Sequence, residues 1–594
     1  IWGIGELGEK TPAALDALLP LLNDRDSEVR SQAAKTLGED NYASAFEGLT
    51  KLLSDPDSRP RFFAAIALGR LKRPEATAPL LEMLRQNGDR DAHLRHAGIM
   101  GLVGCFDQAK LMQAAHDSSP SVRMGVLLTF RRLKMPEIAM FLHDSDPHLV
   151  SEAVHAINDV PIDAATSQLA AMKDDSKLSE PEEIRVLNAN FRLGGPQGAK
   201  AIADYAANPK GVSWLRVEAL KMLSAWAEPG DRDWVMNDWR PLPKRSVNPG
   251  REAAGVAVSQ ILHPSTGAPA APDRVRVAAL NVVSKLKLSN VASLSEMVAD
   301  SKYAPDVRAG ALEALADRED PKLANSVKVA LKDKSPVLRE AAILALAKLP
   351  DGTRQLQRVL DTGSTTDQQA ALSALGTSKD QAADEIISKS MDRLLAGQWK
   401  PELTLDLYEA AAKKYDDSAI QDKYNKYKAQ VGTTDPMARY RMAEVGGNAE
   451  EGRRIFRERA DASCIRCHTI NHEGGIVGPV LDGIGSRQNR EYLLESIVFP
   501  NAKIAPGFES AAVKLKDNKV VVGVVKSETS SELTLMDADG KLIRINKNEI
   551  AARKRGPSAM PEGFNQMLSL RDLRNLVEFL ASLKQGGPAP TNTR

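Results

Sequence analysis

Cysteine is nearly missing from this chain: three residues in 594, too few for a disulfide framework. Net charge is nearly missing too. The 79 Lys and Arg stand against 78 Asp and Glu, a formal +1. No basic surplus is left to hold nucleic acid or an anionic membrane. No apolar run approaches the roughly 18 residues that a membrane-spanning helix needs. There is no initiating Met and no secretory leader. The opening IWGIGELGEK reads as the middle of an element, so we expect a processed chain or a fragment whose targeting information has been removed. What is present is a hydrophobic content of 43%, ordinary for a globular chain, and a length of roughly four domains unless repeats merge them.

Repeats do merge them. A turn with Asp or Pro, an apolar residue, Arg, then an Ala-rich helix recurs along the chain. Copies read DRDSEVRSQAAKTLG at 24–38, DPDSRPRFFAAIALG at 55–69 and RDAHLRHAGIMGLVG at 90–104. The arginines of the pattern are Arg30, Arg61, Arg95, Arg123, Arg185, Arg216, Arg276, Arg308 and Arg339. A period of about 30 residues signals stacked helix pairs, each burying its apolar side only against its neighbours. The pattern resembles HEAT-type repeats over roughly residues 1–430. The step from Arg216 to Arg276 is double length, and its proline-rich sequence predicts an irregular insertion at about 229–272. His93, His96, His116, His143, His148 and His155 show no ligand spacing and read as polar-face and turn residues. Cys105 ends a helix and reads as a small buried hydrophobe.

The other two cysteines lie in SCIRCHTINHEGGIVGP at 463–479. Before them, Asn448 with Glu451 predicts a capping box that opens a helix over 449–459. A thioredoxin-type pair would need a preceding strand, and here a charged amphipathic helix precedes it. A zinc site would need two further ligands; Cys105 is remote and His472 would crowd His468. Covalent haem attachment needs what is written: Cys464 and Cys467 form thioethers, and His468 becomes the proximal iron ligand. Two more helices are expected, over 489–500 and from Ser569, the latter with Leu570, Leu573, Leu576, Val577 and Leu580 on one stripe. Between them, alternating runs and the turn DADG predict an antiparallel β insertion of about four strands at about 508–552. Its Asp pair lacks the spacing of a calcium loop. The run Arg553-Lys554-Arg555 reads as a solvated face.

GGIVGPVLDGIG at 474–485 resembles the Gly-Pro loop of small c-type cytochromes. That resemblance implies that the Pro479 carbonyl accepts a hydrogen bond from His468 and sets its tautomer. It also implies a distal methionine in a Pro-flanked loop before the last helix, which is Met560 in GPSAMPEGF; Met536, Met567 and His472 are the competitors. With GRRIF, CIRCH, REYLLESIVFPNAKIAPGFE and LRNLVEFLASL, residues 446–584 resemble the haem-binding cytochrome c domain of large planctomycete and verrucomicrobial proteins. In that family the domain often follows HEAT-like repeats, with a sugar-dehydrogenase-like propeller upstream.

The expected fold is therefore mainly α: a HEAT-like solenoid over 1–430, a linker at 431–446, a small cytochrome c-like helical domain over 447–584 with the antiparallel β insertion, and a disordered tail at 585–594. The expected function is extracytoplasmic electron transfer by one covalently bound haem c, with axial His468 and Met560, as the electron-accepting part of a larger dehydrogenase. Any dehydrogenase catalytic site would lie upstream of this chain. The expected partner is a redox protein or that upstream domain, with no nucleic acid. Two other readings are open: a haem peroxidase if Met560 is not bound, and a solenoid-based interaction or redox-sensing protein without catalysis.

Overall fold

A computed structural model describes all residues except 9–11, 173–177, 268, 290, 292, 433, 434 and 585–594. The tail expected at 585–594 thus lies outside the described residues. The chain forms two compact units, Ile1–Ala292 and Ser293–Arg594.

The first unit is built from the repeats. Longer helices such as Ser27–Glu39, Ser58–Leu71, Ala92–Gly104 and Pro120–Leu133 alternate with shorter ones such as Phe46–Leu52, Thr77–Asn87 and Gln108–Ala114. Ala33, Ala34, Ala64, Ala65 and Ala97 are fully buried, so the small faces of consecutive long helices pack closely. The Asp-x-Asp turn has a division of labour. Its second aspartate caps the helix: Asp26 accepts from the Glu28 N–H, and Asp146 from the His148 N–H. Its first aspartate takes the arginine of the preceding repeat. Arg123 Nε and Nη2 each donate to Asp144 at 2.8 Å, while Nη1 donates to the Asp117 carbonyl, also at 2.8 Å. Arg30 does the same to Asp55, at 2.7 and 2.8 Å, and to the Asp24 carbonyl at 2.8 Å. Arg30 and Arg123 thus staple turn to turn, bidentately, whereas Arg339 reaches Asp367 through Nε alone and Arg216 donates to the Ala206 carbonyl. Cys105 is buried at a helix end, and its thiol donates to the Leu68 carbonyl at 3.0 Å.

Between Ser213–Ser224 and Asn248–Leu262 the backbone is irregular, but the helix Asn248–Leu262 falls inside the stretch at about 229–272 that was expected to be irregular. The irregular part is nonetheless well knit. Arg245 lies 3.8 Å over the buried Trp226 ring and 4.6 Å over Phe191, and donates to both residues' carbonyls. Burial pulls its pKa down to about 10. Asp233 accepts from Asn188 at 3.1 Å and faces Arg192 and Arg240.

The second unit continues with repeat helices from Leu294–Ala299 to Ser418–Gln430, then changes character. Residues 437–443, expected within a linker, are not a spacer. Ala438–Ala443 is a 3₁₀ helix, and Met437, Tyr440 and Ala443 are buried in the core of the helices that follow. Those helices are Ala449–Glu458, Arg490–Val498 and Leu570–Ser582. The first and last cross closely. A Cβ on Gly452 would lie 2.0 Å from the Asn575 carbonyl oxygen, and the Phe456 and Phe579 rings meet at 5.7 Å.

Two sheets complete the unit. A hairpin pairs β1 (Thr469–Ile470) with β2 (Glu473–Gly474). The insertion forms β3 (Ser510–Leu515), β4 (Val520–Glu528), β5 (Glu532–Met536), β6 (Leu542–Asn546) and β7 (Ile550–Arg555), in the order β6-β5-β4-β3-β7, all antiparallel. There are five strands where about four were expected. The fifth is IAARKR, whose basic run hides any apolar alternation. It is an edge strand, as its charge suits, and Arg553 pairs with Glu528 at 2.9 Å. Ala511, Val513, Leu533, Leu535 and Ile545 bury one face of the sheet.

Candidate functional site

Local chemistry places the Cys-x-x-Cys-His stretch. Asn448 caps the Ala449–Glu458 helix, accepting from the Glu450 and Glu451 N–H groups. The reciprocal half of the expected capping box is absent: Glu451 bonds Arg454, and the Asn448 N–H donates instead to Asn575 Oδ1 at 2.8 Å. The chain leaves the helix through Ser463, at φ 46°, into a single 3₁₀ turn, Cys464–Arg466. The Cys467 and His468 N–H groups both donate to the Cys464 carbonyl, at 3.2 and 3.1 Å. The turn brings Cys464, Cys467 and His468 together. Asn471 and His472, at φ 52° and 66°, are the two central residues of the β1–β2 turn, a type I′ geometry.

The returning loop wraps the motif. The Gly475 N–H donates to the Ile465 carbonyl at 2.9 Å and the Gly478 N–H to the Cys467 carbonyl at 2.8 Å. A Cβ on Gly478 would sit 2.7 Å from His468 Cε1, so the imidazole uses the space that a side chain would fill. His468 Nδ1 lies 2.9 Å from the Pro479 carbonyl oxygen. That oxygen can only accept, so Nδ1 carries the proton and Nε2 keeps its lone pair. Burial pulls the His468 pKa down, against the opposing pull of the Pro479 carbonyl, and the ring is neutral. Burial pushes the Cys464 thiol up to about 11, opposite to the lowered value of a dithiol redox catalyst. Among the described residues, no three His, Cys, Asp or Glu side chains are grouped to hold a metal ion, and the histidines of the repeats make no such group.

The walls are apolar. Cys464, Ile465, Ile484, Phe499 and Met560 pack against the core of the three helices. On the other side Cys467 and Phe508 pack against Val477, Val524 and Met536. A neutral imidazole with a free Nε2, two adjacent thiols and hydrocarbon walls fit an iron porphyrin attached through its vinyl groups.

The candidates for the second axial position are separated by burial. Met560 is half-buried, its N–H donates to Ser558 Oγ at 3.1 Å, and the Ser558 N–H donates to Asn501 Oδ1 at 2.7 Å, which pins the Pro-flanked loop. Met567 is 43% exposed, and His472 is exposed at its turn. Met536 is buried beside Cys467. Sequence reasoning had not placed the β insertion here. The only signal was parity: Met536 and its cross-strand partner Val524 fall on the face opposite Leu535 and Val525.

Comparison with protein families matches "HEAT repeats" to residues 2–103 and 291–376, and "Cytochrome c" to residues 449–520. Comparison with curated proteins gives no match. Among solved structures, the crystal structure of Kap121p is 14% identical at a TM-score of 0.39, covering 86% of this chain and 62% of that one. Kap121p bound to RanGTP is 14% identical at a TM-score of 0.37, covering 75% and 57%. Human deoxyhypusine hydroxylase in complex with glycerol is 18% identical at a TM-score of 0.19, covering 58% and 98%. The chain spans about six-tenths of the length of the Kap121p chains it matches.

Proposed function

We propose, for a chain made of HEAT repeats and a cytochrome c domain that binds haem c covalently, that it is the electron-accepting part of a larger extracytoplasmic dehydrogenase. Haem-based electron transfer on a HEAT-repeat scaffold is what the two domains provide. The finer reading draws its support from chemistry and resemblance. Haem c is attached outside the cytoplasmic membrane, which supports the location. No described helix is long and apolar enough to cross a membrane. The dehydrogenase assignment is supported by the resemblance of residues 446–584 to domains that follow HEAT-like repeats and a propeller.

When bound, the haem supplies a one-electron iron couple. Cys464 and Cys467 would hold it through thioethers. His468 presents Nε2 because Nδ1–H is taken by Pro479, which fixes both tautomer and ring orientation. Met560, half-buried against the same core, would supply a second donor to the iron, a soft sulfur that would favour the reduced state. The apolar residues packed around Cys464 and Cys467 would lower the local polarity at the haem and so raise the cost of the extra positive charge of the oxidised iron.

The observation that carries the reading is the His468–Pro479 contact in an apolar site. Its test is the full chain made in a host that matures c-type cytochromes. We expect haem that survives acid–acetone extraction, a c-type pyridine haemochrome, and the weak near-infrared band of methionine bound to oxidised haem. Met560→Ala should abolish that band, lower the potential and open the iron to CO. Freely extracted haem overturns the covalent site. A band that responds to His472→Ala or Met536→Ala overturns Met560. The dehydrogenase assignment requires a propeller upstream in the same reading frame, whose deletion should abolish reduction of the haem by substrate; a reading frame without one overturns it.

A further inference from the structure

The helix Thr404–Ala412 belongs to the last repeats, yet it carries a carboxylate that is not used there. The Asp406 side chain is 0% exposed. It accepts from Arg574 Nη1 at 2.6 Å and Nη2 at 3.3 Å, and forms an ion pair with Arg571 Nη2 at 3.0 Å. Glu409, one turn on, accepts from Arg571 Nε. Both arginines stand on Leu570–Ser582, the closing helix of the haem module, about 168 positions away. A carboxylate and a guanidinium buried together hold only with good geometry, and losing either leaves the other stranded.

A neighbouring repeat helix, Thr365–Thr377, holds the module's other end. Gln369 Nε2 donates to the Gly446 carbonyl at 2.8 Å and to the Glu402 carbonyl at 3.0 Å. A Cβ on Gly446, at φ 83°, would lie 2.5 Å from the Glu402 carbonyl oxygen. From there the clamp reaches the cofactor through packed elements. Asn575 holds the start of the Ala449–Glu458 helix, Gly452 and Phe456 lie against Asn575 and Phe579, and that helix runs into Cys464.

We propose that Asp406 is a positioning residue for the haem: with Glu409 and Gln369 it locks the haem module onto the last repeats, which act as its built-in dock rather than as a tether. A redox partner seated on repeat helices 365–430 would then meet the haem at one set distance. The lock rests on residues of this chain and on the covalent haem only for one of its readouts.

The test uses the full holoprotein with Lys426→Cys on the last repeat helix, an exposed residue, carrying a nitroxide. Cys464 and Cys467 are consumed by the haem, and Cys105 is buried. Double electron–electron resonance between the nitroxide and oxidised haem iron should give one narrow distance. Asp406→Arg, which sets like charges together, should at least double its width, and Asp406→Glu should keep it narrow. If Asp406→Arg does not fold, Asp406→Asn is read in the same way. A broad distribution in the otherwise unmutated chain overturns the proposal, as does an unchanged width in the charge-reversed or Asn variant. A second pair, Lys426→Cys with Glu458→Cys in a Cys464→Ser, Cys467→Ser background, reports nitroxide to nitroxide without haem. It separates a failed lock from a missing haem, because only the first broadens it.

Discussion

In the repeats the recurring arginine finds its carboxylate about one repeat away; in the haem module several polar side chains, beside local pairs such as Arg454–Glu451, reach across the domain. Arg123 and Asp144 are 21 positions apart, Arg30 and Asp55 are 25, and Arg339 and Asp367 are 28. In the haem module Asn448 and Asn575 are 127 apart, Arg459 and Asp572 are 113, and Arg490 and Glu578 are 88. Local rungs repeat, so the loss of one leaves its neighbours in place. Long-range bonds occur once each, and two of them, Asn448–Asn575 and Arg459–Asp572, order the helix that leads into Cys464. Substitutions should therefore stay confined in the first region and spread in the second.

The largest effect should come from Cys464→Ser with Cys467→Ser. Covalent haem should be lost completely, by acid–acetone extraction, while far-ultraviolet circular dichroism keeps the repeat-helix signal. Collapse of the repeats along with the haem would break the contrast. Next is Arg123→Met. It strands the nearly buried Asp144 carboxylate, and removing one partner of a buried pair costs about 3–5 kcal/mol. Urea unfolding followed by dichroism should show the loss, with the haem absorbance midpoint unmoved. Its pH dependence has a definite sign. Burial alone would raise the Asp144 pKa; the Arg123 guanidinium and the Asp146 N–H outweigh it and hold the pKa below the ordinary value. A lowered folded pKa means stabilisation that is present above the unfolded value of about 4 and lost as pH falls through the folded one. The deficit of Arg123→Met should be full at neutral pH and shrink on acidification below about pH 4.

Two glycines sharpen the contrast at smaller scale. Gly452→Ala places a methyl 2.0 Å from the Asn575 carbonyl oxygen. Overpacking of this kind costs about 1–3 kcal/mol, and the thermal midpoint of the haem absorbance should fall. Gly255, inside the repeat helix Asn248–Leu262, has nothing within 4 Å of an added Cβ. Gly255→Ala should stabilise the first unit by about 0.5–1 kcal/mol through helix propensity alone. A destabilised Gly255→Ala would show that repeat helices are not as locally determined as their bonds indicate.

What the sequence determined by itself is what short separations encode. The arginine recurrence, the Asp-x-Asp turns, the helix starts at Asn448 and Ser569 and the Cys464–His468 turn each need fewer than about thirty neighbouring residues to form, so their pattern is written in place. Pro479 was also legible, eleven residues from His468, though only through resemblance to a Gly-Pro loop. Tertiary structure alone decided the rest. It placed Val524 and Met536 of the insertion beside Cys467, drew Met437 and Tyr440 out of an expected linker into the core, made IAARKR a fifth strand against β3, and closed Asp406 on Arg574. Each depends on a partner that no periodicity announces. Side-chain parity and charge say which residue can pair, and only the folded chain says with what.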